Sequence, residues 1–276
     1  MGTSPVNCNL CGSGGFRIRE TAEEPYKVLE CLGCGLVFVH PLPAPSVLAE
    51  HYDAAYYSGW LGADRRRRLR MWKTRLDGLE KFRSGGRLLD VGCADGVFLE
   101  LAARRGWKTN GTEVSAYAAA YAAQASGAGI FRGELPDAGY GAGSFDVVSM
   151  WHVLEHMPDP RRCLEEVRGI LEPGGLLVLA VPNLNDLLMQ AAYMAARFRR
   201  PGLFSPGDRE LHLYHFSPKT IKAMVEAAGF SCLRIGPDNG VTDPAKRLIN
   251  SAASVLWRLS GAEIFNAIEV YAEKKR

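Results

Sequence analysis

With 276 residues the chain can hold one large domain, or a medium domain and a small one. Hydrophobic residues make up 47% and charged residues 23%, an ordinary globular balance with ample material for a core. A net charge of +3 is too small to imply a nucleic-acid or membrane partner, and no apolar stretch approaches the roughly 20 residues of a membrane span.

The first residues, Met1-Gly-Thr-Ser-Pro5, show no basic segment leading into an apolar run, so no secretory signal is expected. Residues 1–45 carry the first chemical signal. Cys8-Asn-Leu-Cys11 and Cys31-Leu-Gly-Cys34 are two C-x2-C knuckles, the spacing of one tetrahedral four-cysteine zinc site. Gly12 and Gly35 follow each knuckle, where the turn favours glycine. With every ligand position filled by cysteine, no place remains for an activated water, and the zinc is expected to be structural. A redox dithiol is the alternative. Seven cysteines with four so paired point to a reducing compartment, hence to a cytoplasmic protein. Cys93, Cys163 and Cys232 stand alone and are read as small buried residues. Strand-like runs at Tyr26–Glu30 and Leu36–Val39 precede Pro41-Leu-Pro-Ala-Pro45, which reads as a linker.

Residues 46–84 form a mainly helical linker or lid, with Tyr52, Tyr56, Tyr57 and Trp60 ahead of Arg65–Arg68 and Arg70. That basic run is either a solvated helix face or a contact for an anionic substrate. From 85 to 276 strand and helix signals alternate, the pattern of a parallel sheet covered on both faces. Strands are predicted at Arg87–Val91, Lys108–Glu113, Gly129–Arg132, Phe145–Met150, Leu176–Val181, Ser231–Ile235 and Asn266–Ala272. Asp159-Pro160 opens a helix with Leu164, Val167, Ile170 and Leu171 on one face; Ser217-Pro218 opens another that Gly229 closes. Inserts at 183–216 and 237–262 break the rhythm. The first carries Leu187, Leu188, Met189, Ala192, Tyr193 and Met194, then Arg197, Arg199 and Arg200. This stripe either packs on the sheet or closes over a substrate bearing an anionic group.

Leu88-Leu-Asp-Val-Gly-Cys-Ala-Asp-Gly-Val-Phe-Leu99 reads as strand, tight glycine turn and helix start, and Glu113 ends the next strand. A glycine turn lets backbone approach a nucleoside, and a carboxylate on the second strand can accept both ribose hydroxyls. A nicotinamide dinucleotide is the rival ligand, but its G-x-G-x-x-G register gives Gly92, Ala94 and Val97 here. Asp90, two residues before the turn, suits a cationic amino group better than a pyrophosphate.

These residues resemble the class I S-adenosylmethionine-dependent methyltransferases, the broad family of ubiquinone-biosynthesis, sugar and natural-product enzymes. The likeness runs over about residues 85–235 through Leu88-Leu-Asp-Val-Gly-Cys93, Ser144-Phe-Asp-Val-Val148, Trp151-His-Val-Leu-Glu-His156, Leu171-Glu-Pro-Gly-Gly175 and His212-Leu-Tyr-His-Phe-Ser217. The four-cysteine start is similar to members acting on sugars or on polysaccharide and secondary-metabolite precursors. The resemblance implies a Rossmann-like, seven-stranded, doubly wound α/β sheet with the last strand antiparallel. It implies that Asp90, Gly92, Ala94 and Gly96 line the methionine part of the cofactor, that Glu113 binds the ribose, and that Cys93, Phe98 and Val114 also bind the cofactor. Glu134 and Leu135 would flank the adenine, and Met150, Trp151 and His152 would close over the reacting end.

The ubiquinone enzymes hold magnesium with Glu-x-x-Glu-His. This chain has His152-Val-Leu-Glu155-His156, with histidine for the first carboxylate, which leaves the magnesium assignment open. Removing the proton of a hydroxyl acceptor calls for a base near neutral pKa, and His152, His156, His212 and His215 are the candidates, each also readable as a structural histidine. The expected function is therefore methylation of a small-molecule or sugar-type acceptor, with O-methylation favoured over C or N. A zinc-ribbon RNA methyltransferase is the alternative, but residues 1–45 carry only Arg17, Arg19 and Lys27 against four glutamates.

Overall fold

A computed structural model describes residues 6–51, 57, 65–198, 201–238, 240 and 244–275. The N-terminal part is an antiparallel meander of β1 (Phe16–Thr21), β2 (Lys27–Cys31) and β3 (Val37–His40). Val28 and all of Val37–Val39 are buried, and Phe38 meets the rings of Phe16 and Tyr214 at 5.4 and 6.0 Å. Among the described residues two helical elements of more than one residue follow, α1 (Pro45–His51) and α2 (Arg65–Leu79). Of the aromatic residues expected ahead of the arginines, Tyr52, Tyr56 and Trp60 lie outside the described residues.

The larger sheet is built from β4 (Arg87–Val91), α3 (Val97–Arg104), β5 (Lys108–Glu113), α4 (Ala116–Ser126), β6 (Gly129–Arg132), β7 (Phe145–Trp151), α5 (Pro160–Ile170) and β8 (Leu171–Pro182). Then come α6 (Leu187–Arg197), β9 (Tyr214–His215), α7 (Pro218–Ala227), β10 (Phe230–Pro237), α8 (Pro244–Ser260) and β11 (Ala267–Lys274). Its seven strands run in the order β10-β11-β8-β7-β4-β5-β6, and β11 is antiparallel to both neighbours. This is the expected doubly wound architecture with its last strand reversed. The sheet's crossover helices cover apolar strands such as Leu88–Leu89 and Val147–Val148, all at 0% exposure. The two-residue β9 leaves the large domain to pair with β3, completing the small sheet in the order β1-β2-β3-β9.

Local signals act as expected. The Asp159 carboxylate accepts from Arg162 N at 3.0 Å, and Ser217 forms a capping box with Thr220. β8 differs from expectation. It starts at Leu171, not Leu176, because the Glu172–Gly175 stretch is absorbed as an irregularity between the pairs Phe145↔Leu171 and Val147↔Leu176. The 183–200 stripe also differs from one of its two readings. Helix α6 buries no residue: Leu187 and Met189 are 54% and 49% exposed, and Phe198 is 90% exposed. It is not packed on the sheet; Arg199 and Arg200 lie outside the described residues. Among the described residues no helix is long and apolar enough to cross a membrane.

Gly96 shows how tightly the first turn is drawn. Its φ is +71°, and a Cβ there would stand 2.9 Å from Ala122 Cβ on α4. Gly96→Ala is expected to cost about 1–3 kcal/mol, from left-handed strain and crowding together, read as a lower thermal midpoint.

Candidate active site

The glycine turn sits at the carboxyl edge of β4, beside the topological switch between β5 and β7. Gly92 N and Cys93 N both donate to Thr112 O, at 2.9 and 3.0 Å, which ties the turn to β5. Gly92 has φ +67°, and a Cβ there would meet Val153 Cγ2 at 2.6 Å, so only glycine fits. Glu113, 2% exposed, accepts from Ala94 N at 3.0 Å, Ser115 N at 2.9 Å and the Tyr57 hydroxyl at 3.2 Å. Burial pushes its carboxyl above the usual range, and those donors work against the rise. The Tyr57 contact is a neutral hydroxyl donating to Glu113 Oε1, the interaction a ribose hydroxyl makes. Asp90 is 2% exposed; burial pushes it up to about 7, against the lowering effect of the Ser149 hydroxyl 2.6 Å away. Among the described residues no ion pair reaches Asp90, and a buried carboxylate so placed is suited to an ammonium ligand.

The other cofactor candidates fall around this turn. Gly133 N donates to Glu113 O at 3.0 Å, which puts Glu134 and Leu135 just past the β5 edge, Leu135 being buried. Val114 is half-exposed, while Cys93, Phe98, Met150 and Trp151 are buried. Helix α2 roofs the region with a buried stripe of Arg68, Trp72, Arg75, Leu76 and Leu79. Arg68 is ion-paired with Asp95 of the turn and Arg65 bonds Glu100 at 3.0 Å, so Arg68 at least is no solvated face. Trp72, Phe98 and Trp151 pack ring to ring at 5.5–6.1 Å.

The histidines regroup. His152, at φ +57° directly after β7, stands alone from its partner in sequence. Its Nε2 lies 3.2 Å from Arg75 Nη2 and its Nδ1 3.4 Å from Glu155 Oε1. Arg75 is in turn bound to Asp238 at 2.5 Å, both buried, and is stacked between Trp72 and Trp151 at 4.9 and 4.7 Å. A guanidinium only donates, so the 3.2 Å contact is that of a neutral imidazole accepting at Nε2 and holding its proton on Nδ1. Burial disfavours the charged ring, but Asp238 and Glu155 outweigh it and lift His152 to about 9. His156, His212 and His215 instead form a chain of rings with centroids 4.9 and 6.3 Å apart. His215 is half-buried, and desolvation of its ring with the charges of His212 and Arg19 holds it down to about 3. Arg75 and Asp238 were not anticipated. The only sequence trace was Trp72, Arg75, Leu76 and Leu79 sharing one helix face.

The four cysteines converge. Cys8 and Cys34 sulfurs are 3.5 Å apart, as are those of Cys11 and Cys31, and all four lie within 4.8 Å of one another. Gly12 N donates to Cys8 O at 2.8 Å and Gly35 N to Cys31 O at 2.9 Å, the same turn twice. Burial raises the Cys31 thiol, but backbone N–H groups of Cys34 and Gly33 bring it down to about 7. Such a set fits a tetrahedral thiolate-bound ion.

A family profile described as a methyltransferase domain matches residues 61–235. The ubiquinone biosynthesis O-methyltransferase of Psychrobacter arcticus is 34% identical over 158 residues, covering 54% of this chain and 60% of that one. That of Cereibacter sphaeroides strain KD131 is 35% identical over 119 residues, covering 41% and 48%. The chain thus spans only about half to three-fifths of these relatives. Among solved structures, magnesium protoporphyrin IX methyltransferase from Synechocystis PCC 6803, with bound SAH, superposes at TM-score 0.59 with 14% identity, covering 84% of this chain and 100% of that one. A SAM-dependent methyltransferase from Archaeoglobus fulgidus superposes at 0.53 with 19% identity, covering 80% and 98%. At such identities the structures speak for the fold, and the profile, which spans more than half of the chain, for the family. The chain belongs to the methyltransferase-domain family.

Proposed function

We propose that the chain is an S-adenosylmethionine-dependent methyltransferase that methylates a hydroxyl of a small molecule, with His152 as the base. The observation that carries this reading is Glu113, a buried carboxylate at the edge of β5 that already receives a hydroxyl at Oε1 beside the glycine turn. Glu113 would hold the ribose, Asp90 the ammonium of the methionine part, and Glu134 and Leu135 the adenine. When bound, the cofactor supplies an electrophilic methyl group. The protein's share is then alignment and removal of the acceptor's proton, for which His152 Nε2 at the end of β7 has its lone pair once Arg75, 3.2 Å away, draws back onto Asp238. The O-methyltransferases among the relatives support a hydroxyl acceptor. The exposed stripe of α6, ending in Arg197, supports an acceptor with an anionic group, such as a nucleotide diphosphate or a carrier phosphopantetheine, and the four-cysteine start supports a sugar, polysaccharide or secondary-metabolite precursor. Cys8, Cys11, Cys31 and Cys34 would hold a structural zinc, which requires reduced thiols and supports a cytoplasmic setting. Against RNA as substrate, Arg17 and Arg19 of β1 are both spent on Glu30, at 2.7 and 3.3 Å.

Calorimetry tests the cofactor. S-adenosylmethionine should bind and NAD should not, and Glu113→Ala should weaken binding by about 1–3 kcal/mol, since the ribose hydroxyls lose a charged acceptor. Unchanged affinity in that variant would take Glu113 out of the site.

A further inference from the structure

A cavity of about 250 Å³ lies between α2 and the β10–β11 edge of the large sheet, walled in part by Arg75, Asp77, Lys81, Arg234, Gly240 and Glu269. At roughly 30 Å³ per water it has room for a tetrahedral oxyanion and several waters. We propose that this cavity binds an oxyanion, a phosphate or sulfate group held by Lys81 and Arg234, either free or carried by the methyl acceptor. The acceptor-borne form rests on the methyl-transfer reading above; the anion site itself does not.

The charges of the wall decide the sign of the ligand. Arg75 is already engaged by the buried Asp238, at 2.5 Å. Asp77 is bound to Lys73 at 2.9 Å and to Arg105 at 2.8 Å. That leaves Lys81 and Arg234 facing a single carboxylate, Glu269. Among the described residues no ion pair reaches Lys81. Arg234 stands 3.6 Å from Glu269 Oε2, beyond the roughly 2.7–2.9 Å of a charge-assisted hydrogen bond. Its guanidinium lies 5.3 Å from the centre of the Tyr271 ring, a contact that helps to hold it there.

Glu269 makes the site sensitive to pH. It is 5% exposed on β11, and burial pushes its carboxyl up to about 7. The charge of Asp238 adds to the rise, and Arg234, Tyr271 and Arg75 oppose it. Arg75, Asp77 and Lys81 face the cavity from α2 and the turn after it, and Arg234 faces it from β10, while β8 sets only Ala180 opposite Glu269. With Glu269 protonated, two cations stand uncompensated beside a carboxyl O–H that can donate. With Glu269 charged, one of them is offset and the carboxylate repels an anion. An oxyanion therefore binds with uptake of a proton, and its affinity falls as pH rises through the Glu269 value.

Arg75 ties the cavity to the candidate active site. The side chain that lines the cavity also brings Nη2 to 3.2 Å from His152 Nε2. Gly240 N donates to Asp238 Oδ1 at 2.7 Å, and a Cβ at Gly240 would clash with Arg75 Nε, so the turn closes directly on that guanidinium. An acceptor with its anionic group in the cavity is thus separated from His152 by one side chain.

Sodium sulfate is the first probe, since it takes up no proton near neutrality and binds without cofactor or acceptor. Titration calorimetry at fixed ionic strength should show one sulfate per chain, about tenfold weaker at about pH 8 than at about pH 6. Lys81→Ala and Arg234→Ala should each weaken binding about tenfold. Glu269→Gln should bind at the higher pH as the parent protein does at the lower. Thermal midpoint and S-adenosylmethionine affinity, measured separately, report that the variants are folded and keep a failure of the cofactor reading apart from a failure of this one. Phosphopantetheine bound through the same two cations would support an anion carried by a larger molecule, and its exclusion while sulfate binds would support a free ion. No sulfate binding at either pH, binding undiminished in both folded alanine variants, or an affinity that does not fall with pH would each overturn the proposal.

Discussion

Replacing Cys31 by serine is expected to strip the N-terminal metal and to destabilise far more than the module itself. Cys31 closes β2, pairing with Phe16, and its N–H donates to Leu36 O at 2.9 Å at the start of β3. Its sulfur is 3.5 Å from that of Cys11. Bound structural zinc is worth about 10–16 kcal/mol in small modules, and a lost thiolate forfeits a large part of it. Strand β1 adds little of its own, since Ile18 is exposed and the buried residues of the small sheet are concentrated on β2 and β3. Because β3 also pairs with β9, at Val37↔His215 and Phe38↔Tyr214, disorder there removes the support of the segment that carries His212 and His215. A loss of even about 5 kcal/mol is comparable with the whole stability of many domains, and lowers the thermal midpoint by roughly 10–20 °C. Elemental analysis and a melting curve check it. A Cys31→Ser protein with a full complement of zinc and an unshifted melt would show that the four cysteines do not act together.

How much of this could be read from the chain depended on the distance over which each feature is determined. The strand Arg87–Val91, the glycine turn after it, the Asp159-Pro160 cap and the Ser217 capping box are settled within a few residues, and they stand where their local signals put them. Even the polar β5, Lys108–Glu113, keeps its expected bounds, held between β4 and β6. Strand β9 is two residues long, too short for any periodicity, and exists because β3 needs a partner. The Arg75–Asp238 pair joins positions 163 apart in sequence, so nothing near either residue announces it. Histidine spacing grouped 152 with 156 and 212 with 215, whereas folding brings 156 to 212 and leaves 152 to Arg75. The α6 stripe shows the converse: periodicity gave the helix its apolar face but could not say what the face meets.

His152→Ala should lower turnover by roughly 10²- to 10⁴-fold while affinity for S-adenosylmethionine stays near that of the parent protein. An alcohol is a poor nucleophile until its proton is taken, whereas the methyl donor needs no activation, so losing the base should fall on kcat. The electrostatics make a second, sharper demand. Asp238 and Glu155 raise the His152 pKa to about 9 against the effect of burial, so the charged ring predominates below that pH and the lone pair needed for catalysis grows as pH rises. Protonating Nε2 also means that Arg75, 3.2 Å away, must draw back onto Asp238, to which it is already bound at 2.5 Å. kcat/KM should therefore climb about tenfold per unit from about pH 7 toward about pH 9 and level off above it. Asp238→Asn removes one of the two carboxylates that favour the charged ring, so its limb should move to lower pH, and Asn still accepts a hydrogen bond from Arg75. A purely structural His152 would lower activity without shaping this limb. If His152→Ala keeps near-normal turnover, or if the limb is the same in Asp238→Asn, another residue takes the proton, or the acceptor is an amine that reacts as its free base.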